Sequence, residues 1–329
     1  MSLTADEEAR LSELLAGADV RRAKVRIPVP VPPTNAWFVG RPDATLIDCG
    51  PAWGDALDRL AEALGAGVRL RSLLITHGHP DHHGAASALA RLHGCKVACH
   101  PFDAQAVQAF RSTLDERYKT WSQAARKHGM PEGIVAPMAG HYRALSAMGA
   151  DQPEVEALHD GDRIEAGPLV LEALHLPGHT AGSVAFLARA ERLLFSGDSV
   201  LPGITPNPFF EGLFEEASGP GPFLESMKRL RALPVDFVLP GHGEPLTGLA
   251  KVVDLYERHH RDRRDAILAV LRARGSASGF EVVEALFPGV TRIDQWLAMA
   301  EVLGHLQHLT ALGKVDEEQV RGRLVWRAR

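Results

Sequence analysis

The sequence has few of the features that mark secreted or membrane proteins. Its three cysteines, Cys49, Cys95 and Cys99, are too few and odd in number for a disulfide framework, so we expect buried free thiols in a reducing compartment. No run approaches the roughly 20 apolar residues of a membrane helix. The first twenty residues have neither the apolar core nor the cleavage site of a signal peptide. We therefore expect a soluble cytoplasmic protein without a membrane partner.

Strong charge of either sign is also missing. The net charge is -5 and the pI is about 6.3, which gives no global attraction to nucleic acid or to anionic membranes. The chain has 329 residues, of which 45% are hydrophobic, so it can bury a sizeable core. At roughly 150 residues per domain, this length predicts about two domains.

The order of predicted elements indicates an α/β fold. Strands alternate with amphipathic helices to about residue 100, and short strands return after residue 155. The mostly helical segment 101–155 interrupts this pattern and is predicted to be a lid inserted over the active cleft. From residue 250 three helices and a hairpin predict a winged-helix-like domain. The predicted domains are therefore 1–249 and 250–329.

Four aromatic or histidine side chains of the insertion have more than one interpretation. From a lid they could reach the cleft, but they could equally form core or a dimer contact. They are Tyr118, Trp121, His141 and Tyr142.

Histidine and aspartate concentrate in the stretch "THGHPDHHG", which holds His77, His79, Asp81 and His82. Imidazole nitrogen and carboxylate oxygen together suit zinc, and also iron or manganese. The interspersed glycines allow the backbone to approach closely.

Three later segments each place one further ligand type at a predicted strand end. They are "LPGHTAGS" with His179, "FSGDS" with Asp198 and "LPGHGE" with His242. Seven such groups could close two metal sites that share a carboxylate.

These four motifs resemble, in order and spacing, those of the metallo-β-lactamase superfamily, whose signature is H-x-H-x-D-H. The resemblance covers about residues 24–100 and 156–248 and implies a four-layer αββα sandwich. It further implies the glyoxalase II-like or lactamase-β-like branch. In that family one metal would be held by His77, His79 and His179. The other would be held by Asp81, His82 and His242, with Asp198 as the bridge.

The aspartate at position 198 bears on the activity. A bridging aspartate suggests the hydrolase, glyoxalase-like and nuclease-like branches, whereas true β-lactamases usually have cysteine there. We therefore expect no antibiotic hydrolysis.

The predicted mechanism follows from metal chemistry. A metal lowers the pKa of bound water to about 7, and two metals about 3.5–4 Å apart can share the resulting hydroxide. The hydroxide would attack a small ester, thioester or lactone. Asp81 and Asp198 would be the catalytic residues that orient it or accept its proton. The expected cofactors are two divalent ions, zinc first, with iron or manganese as alternatives.

The remaining histidines near these motifs are expected to be structural or exposed. We predict that His83 binds neither metal. We also expect a structural or surface position for His93, His100 and His159. His175 is close enough in sequence to His179 to support the site from behind.

A proline-rich loop follows Asp198. It could form the substrate-contacting wall through Asn207, Phe209 and Phe210, or it could only pack.

The last 75 or so residues resemble the winged-helix domain of lactamase-β-type endoribonucleases, through His260, Arg261 and Arg264. This makes a metal-dependent endoribonuclease or phosphodiesterase the alternative function. Residues 251–329 carry 13 Lys/Arg and 11 Asp/Glu, so their net charge is 13 − 11 = +2, far from a strongly basic footprint. We therefore expect a small-molecule substrate, with nucleic acid as the open alternative. The tail is expected to pack on the catalytic domain or to form a homodimer.

Overall fold

The computed structural model describes residues 3–28, 31–208 and 218–329. One central sheet has six strands in the order β1-β2-β3-β4-β5-β6. Strands β1 to β3 pair antiparallel, and β3 to β6 pair parallel. The strands are β1 (Val20–Val25), β2 (Thr34–Val39), β3 (Asp43–Ile47), β4 (Arg69–Leu74), β5 (Lys96–Cys99) and β6 (Glu156–Ala157).

A second sheet has five strands in the order β11-β10-β9-β8-β7. They are β7 (Arg163–Ala166), β8 (Leu169–His175), β9 (Val184–Ala188), β10 (Leu193–Gly197) and β11 (Phe237–Pro240). Strand β9 runs antiparallel to both β8 and β10, while β10 and β11 are parallel. Strands β8, β10 and β11 therefore run in the same direction, and their carboxyl ends lie at the same edge.

The first nine described helices are α1 (Ala5–Gly17), α2 (Ala56–Leu64), α3 (Pro80–His83), α4 (Ala86–His93), α5 (Pro101–Gln108), α6 (Leu114–Lys127), α7 (Glu132–Val135), α8 (Met138–Leu145) and α9 (Pro220–Arg231). Of these, α2 and α4 cover the outer face of the first sheet, and α9 covers that of the second. Helix α2 shows why they pack there: its buried residues Ala56, Leu60 and Leu64 recur every four residues and form one apolar face. In the described residues, no helix has the length and apolar character needed to cross a membrane.

Among the described residues, apolar side chains between these layers form three of the four hydrophobic clusters. Trp37 and Phe195 lie in the cluster between the sheets. Leu60 of α2 lies in the cluster outside the first sheet, and Phe223 of α9 in the one outside the second. The prediction of an α/β fold with sheets flanked by helices is thus confirmed. The three cysteines are buried free thiols, also as predicted.

The C-terminal residues form three helices and a small sheet. The elements are α10 (Leu249–Arg274), β12 (Ala277–Ser278), α11 (Gly279–Leu286), α12 (Arg292–Ala311), β13 (Val315–Val320) and β14 (Arg323–Ala328). The sheet order is β12-β14-β13. The predicted helices and hairpin are present, while the winged-helix assignment and the domain boundary at residue 249 stay predictions.

The helices of segment 101–155 share the fourth hydrophobic cluster with these C-terminal elements. Trp121 and Tyr142 are only 5% and 4% exposed in this cluster, which also contains Leu271 and Trp326. Tyr118 packs against it, and the ring of His141 lies 6.0 Å from that of Trp296. Of the interpretations open from the sequence, core packing describes Trp121 and Tyr142. That the segment covers the cleft stays a prediction.

Candidate metal centre

The seven predicted ligands meet at one edge of the two sheets, because each follows a strand that ends there. His77 and His79 follow β4, His179 follows β8, Asp198 follows β10 and His242 follows β11. Hydrogen bonds tie the two sheets together at this edge, from Val184 N–H to Thr76 O (2.8 Å) and from Asn35 N–H to Gly241 O (2.7 Å). Side chains at the carboxyl ends of neighbouring strands converge in the same way in other open α/β folds.

The one-turn helix α3 was not predicted, and it carries two of the ligands. His79 is its N-cap residue and Pro80 occupies its first position, where the fixed φ of proline suits a helix start. Asp81 and His82 follow on this single turn. The short loop of the motif thereby contributes His77 and His79 to one group of ligands and Asp81 and His82 to a second, neighbouring group.

Three histidines form the first group, which we call the imidazole triad: His77, His79 and His179. His79 Nδ1 lies 3.0 Å from His77 Nε2 and 3.1 Å from His179 Nε2. The rings stand nearly perpendicular to one another, with interplanar angles of 74° to 86°. Three ring nitrogens therefore face one point.

Asp81, His82 and His242 form the second group, which we call the mixed triad. The Nε2 atoms of His82 and His242 are 3.1 Å apart. Asp81 Oδ2 lies 3.4 Å from His242 Nε2 and 3.9 Å from His82 Nε2. A carboxylate oxygen and two ring nitrogens thus converge on a second point.

Asp198 lies between the two triads. Its Oδ2 is 3.8 Å from His179 Nε2 and 3.5 Å from His242 Nε2, and its Oδ1 is 3.5 Å from His82 Nε2. Oδ1 is buried and accepts no hydrogen bond from the described residues. The carboxylate is therefore placed where it can serve both groups.

The spacing of these atoms fits divalent cations. Ligands about 2.0–2.1 Å from a tetrahedral metal ion are separated from one another by about 3.3 Å, close to the separations above. In the described residues, ligand atoms gather tightly enough to hold an ion in three overlapping groups, which are the two triads and the set His77, His82 and Asp198. The chain therefore offers a donor set suited to more than one ion.

Hydrogen bonds to the rear of four histidines determine which ring nitrogen faces the centre. In each, Nδ1 meets an oxygen and leaves the Nε2 lone pair free. The partners are Thr76 Oγ1 for His77 (3.0 Å), Asp48 Oδ2 for His82 (2.8 Å), Asn207 O for His179 (2.6 Å) and Pro32 O for His242 (3.0 Å).

The two triads differ in their electrostatics. In the imidazole triad, burial lowers the pKa of His79 and of His179 to about 4 and that of His77 well below its ordinary value. These rings are neutral at pH 7, as metal ligands must be.

In the mixed triad the carboxylates dominate. Burial favours neutral His82, but Asp198, Asp48 and Asp81 outweigh it and hold the pKa of His82 well above its ordinary value. Burial also opposes ionisation of Asp81, yet His82 and His242 keep its pKa well below the usual range. The carboxylates of this half stay ionised, and a bound cation would take the place of the proton that they favour on His82.

Asp48 is a functional residue that the sequence reasoning missed. It directly follows β3 and has a φ of +54°, in the left-handed region that non-glycine residues rarely adopt. Its carboxylate accepts hydrogen bonds from Thr76 N–H (2.8 Å), from the Thr76 hydroxyl (2.8 Å) and from His82 Nδ1 (2.8 Å). The available signal was a charged residue closing the apolar strand "ATLID".

Asp103 was missed as well. It lies in α5, is 5% exposed, and accepts hydrogen bonds from Gly78 N–H (2.7 Å), Gly182 N–H (2.8 Å) and the Thr180 hydroxyl (2.6 Å). Aspartate is common in the first turn of helices because it complements the helix dipole, so nothing at this position distinguished Asp103 from an ordinary helix-start residue.

The other histidines lie outside the triads. His83 is buried edge-on against Phe110, with ring centroids 5.3 Å apart, and burial lowers its pKa to about 3. His93 and His159 are exposed. His100 stacks on His175 at 3.8 Å, and His175 Nε2 donates to Ala181 O (2.8 Å), so His175 supports the loop that follows His179.

The loop after Asp198 contributes through its backbone. Asn207 O accepts from His179, and the Asn207 side chain donates to Leu297 O of α12 (3.2 Å). Phe209 and Phe210, the other predicted wall residues, lie outside the described residues.

Comparison with known proteins finds relatives of this chain. The sequence model of the metallo-beta-lactamase superfamily matches residues 29–242. The probable metallo-hydrolase YqjP of Bacillus subtilis (strain 168) is 26% identical over 302 residues, which are 89% of this chain and 92% of that protein. Hydroxyacylglutathione hydrolase GloC of Haemophilus influenzae is 26% identical over 211 residues, covering 62% of this chain and 82% of that protein.

A solved structure extends the likeness to the C-terminal helices. The crystal structure of a metallo-beta-lactamase family protein from Thermus thermophilus matches with a TM-score of 0.78 and 27% identity, covering 94% of this chain and 98% of that one. The catalytic sandwich and the C-terminal elements are therefore shared as one arrangement.

Proposed function

The chain belongs to the metallo-beta-lactamase superfamily and is a hydrolytic enzyme, and from that premise we propose that it cleaves a small ester, thioester or lactone with two divalent ions. The observation that carries the proposal is the pair of triads joined by Asp198, in which neighbouring ligand atoms stand 3.0 to 3.9 Å apart. We propose zinc as the native ion, because neutral imidazole together with carboxylate suits it.

We assign the ligands as the motifs imply. His77, His79 and His179 would hold one ion, Asp81, His82 and His242 would hold the other, and Asp198 would serve both. When bound, such ions polarise the substrate carbonyl and lower the pKa of coordinated water to about 7. The protein itself then has to position the attacking water, take up its proton and exclude other water.

Two carboxylates perform the proton chemistry in this proposal. Asp81 directs Oδ2 at the two histidines of its triad, which leaves Oδ1 to orient the attacking water and accept its proton. Asp198 offers Oδ1, which has no hydrogen-bond donor in the part of the chain that the structure describes. Both groups are ionised at neutral pH, because the surrounding histidines outweigh burial and keep their pKa low.

An acyl substrate is supported by the relatives. The Haemophilus protein is named for the hydrolysis of hydroxyacylglutathione, in which an acyl group is carried by glutathione. The mild negative charge of this chain fits a small substrate better than a polyanion. Helix α12 reaches the loop beside His179 through Asn207, which supports a role for the C-terminal elements in shaping the cleft.

A substrate panel tests the proposal. The zinc-loaded protein is assayed against glutathione thioesters, p-nitrophenyl esters of short acids, lactones and single-stranded RNA. We expect turnover of at least one acyl class, lost on removal of metal with a chelator and in Asp81→Ala. The exposed His93→Gln variant is the control and should keep full activity.

Two results would overturn the proposal. One is the absence of acyl turnover by protein shown to contain two equivalents of metal. The other is cleavage of RNA alone, weakening steeply with salt, which would establish the nuclease alternative.

A further inference from the structure

Asp103 lies behind the metal centre rather than in it. Its carboxylate is buried, and the three donors that meet it all come from two ligand-bearing loops. Gly78 lies between His77 and His79, while Thr180 and Gly182 lie one and three residues after His179. One carboxylate on α5 therefore joins the loops that carry the whole imidazole triad.

The two loops are shaped to receive this carboxylate. A Cβ added at Gly182 would lie 2.6 Å from Asp103 Cγ, and one added at Gly78 would lie 2.8 Å from Ala106 Cβ and 3.3 Å from Asp103 Cβ. Only glycine lets the backbone N–H groups come this close to α5. The Thr180 hydroxyl also meets Ser183 Oγ at 2.8 Å, so the loop after His179 is fixed at several points.

The mixed triad has a different support. Asp48 meets His82 directly, and its hydrogen bond to Thr76 links it to the imidazole triad, because Thr76 contacts His77 Nδ1. Asp103, in contrast, has no hydrogen bond to Asp81, His82 or His242 among the described residues. The two buried aspartates thus divide the support of the centre between them.

We propose that Asp103 is a positioning residue that sets the metal affinity of the imidazole triad selectively, by holding the His77–His79 loop and the His179 loop at a fixed distance. This inference rests on the metal assignment of the proposed function. Partners that orient metal ligands typically change metal affinity about 10–100-fold when removed. The selectivity for one triad distinguishes positioning from a general contribution to folding.

Asp103→Asn is the sharpest substitution. The carboxylate Oδ2 accepts from both Gly78 N–H and the Thr180 hydroxyl, while Oδ1 accepts from Gly182 N–H. An amide of the same size has one acceptor oxygen, so its NH2 group must face an N–H donor on one side. The link between the loops is then broken while the space stays filled.

The experiment uses single-site backgrounds of the full chain. His242→Ala weakens the mixed triad and leaves the imidazole triad, whereas His179→Ala does the reverse. Zinc affinity of each is measured by competition with a chromophoric chelator, with and without Asp103→Asn. We expect Asp103→Asn to weaken zinc binding about 10–100-fold in the His242→Ala background and less than about threefold in the His179→Ala background. Asp48→Asn, the matched control, should weaken it in the His179→Ala background.

Each other outcome decides the matter. Equal weakening in both backgrounds, or no change in either, would overturn the proposal. If neither background binds zinc with measurable affinity, the metal assignment itself fails, which is a separate result. Should Asp103→Asn fail to fold, Thr180→Val removes a single donor at nearly constant volume. It should weaken zinc binding in the same selective way by a smaller factor, and an unselective effect would again contradict the inference.

Discussion

Histidines crowd together in two buried regions of this chain, the metal centre at the sheet edge and the pair His260 and His305 between α10 and α12. His260 Nδ1 lies 3.2 Å from His305 Nε2, a separation like those inside the triads. The two side chains are 2% and 1% exposed. By burial and spacing alone, the two regions look alike.

Carboxylates make the difference. At the sheet edge Asp81 and Asp198 face the histidines, and four of the rings are oriented from behind by oxygen acceptors. Between the helices, the nearby Glu301 is engaged by Arg263 at 2.6 Å. The described residues there form no group able to hold an ion. In this chain, carboxylates and oriented lone pairs therefore distinguish the histidines at the sheet edge from the pair between the helices.

The largest expected effect comes from removing the shared carboxylate. Asp198→Asn keeps the size of the side chain but removes the charge that serves both triads. We expect hydrolysis to fall about 10³-fold or more, since metal-assisted charge stabilisation supplies several kcal/mol. Steady-state kinetics with metal analysis checks this, and a kcat/KM within tenfold of the parent would contradict it.

The buried pair His260 and His305 should reduce folding stability at acidic pH. Burial lowers the pKa of His260 to about 4 and that of His305 well below its ordinary value, so both stay neutral in the folded protein. The unfolded chain binds these protons below about pH 6.5, so folding stability falls as the pH drops from there toward 4. Each histidine contributes at most about 1.4 kcal/mol per pH unit.

Replacing the pair by His260→Leu with His305→Leu should remove that dependence. Between pH 6.5 and 5.5 the double variant should lose up to about 2 kcal/mol less stability than the parent, measured by urea unfolding. The exposed His93→Gln variant should follow the parent. An unchanged pH dependence in the double variant would show that the pair does not resist protonation.

Packing around the metal centre gives the next effect. A Cβ at Gly241 would lie 2.8 Å from His82 Cε1 and would also press on Asp198 Oδ1. We expect Gly241→Ala to weaken metal binding about 10–100-fold, as displaced ligands do. Gly140→Ala in α8, where a Cβ meets nothing within 4 Å, is the control and should keep its metal. Equal metal content in both would argue against tight packing at Gly241.

The smallest effect tests the connection between the two regions. Asn207→Ala removes the hydrogen bond to Leu297 O of α12 but keeps the backbone acceptor of His179. A single hydrogen bond contributes about 0.5–1.5 kcal/mol, so kcat/KM should change by about two- to tenfold while bound metal is retained. Loss of metal would show instead that the side chain holds the loop itself.

Much of the molecule was predictable from local pattern. Alternating strands and amphipathic helices gave the α/β class, and strand-end motifs identified the residues that the structure brings together at one edge. The one-turn helix at Pro80–His83 was less accessible, because four residues carry too little periodicity to be recognised. The shared core of segment 101–155 with α10 to α12 could not be anticipated, since apolar faces do not specify their partner.

The sequence by itself determined which chemical groups the chain could bring to a metal. Histidine and aspartate at strand ends can be recognised in each short motif separately. The tertiary structure alone decided how those groups are held. The partners of Asp48 and Asp103 could not be read from the sequence, since their hydrogen bonds span 34 and 25 residues. The same holds for His260 and His305, 45 residues apart, whose neutral burial depends on the packing of two helices. Ligands can be recognised from short motifs, whereas the residues that support them are identified only by contacts between distant parts of the chain.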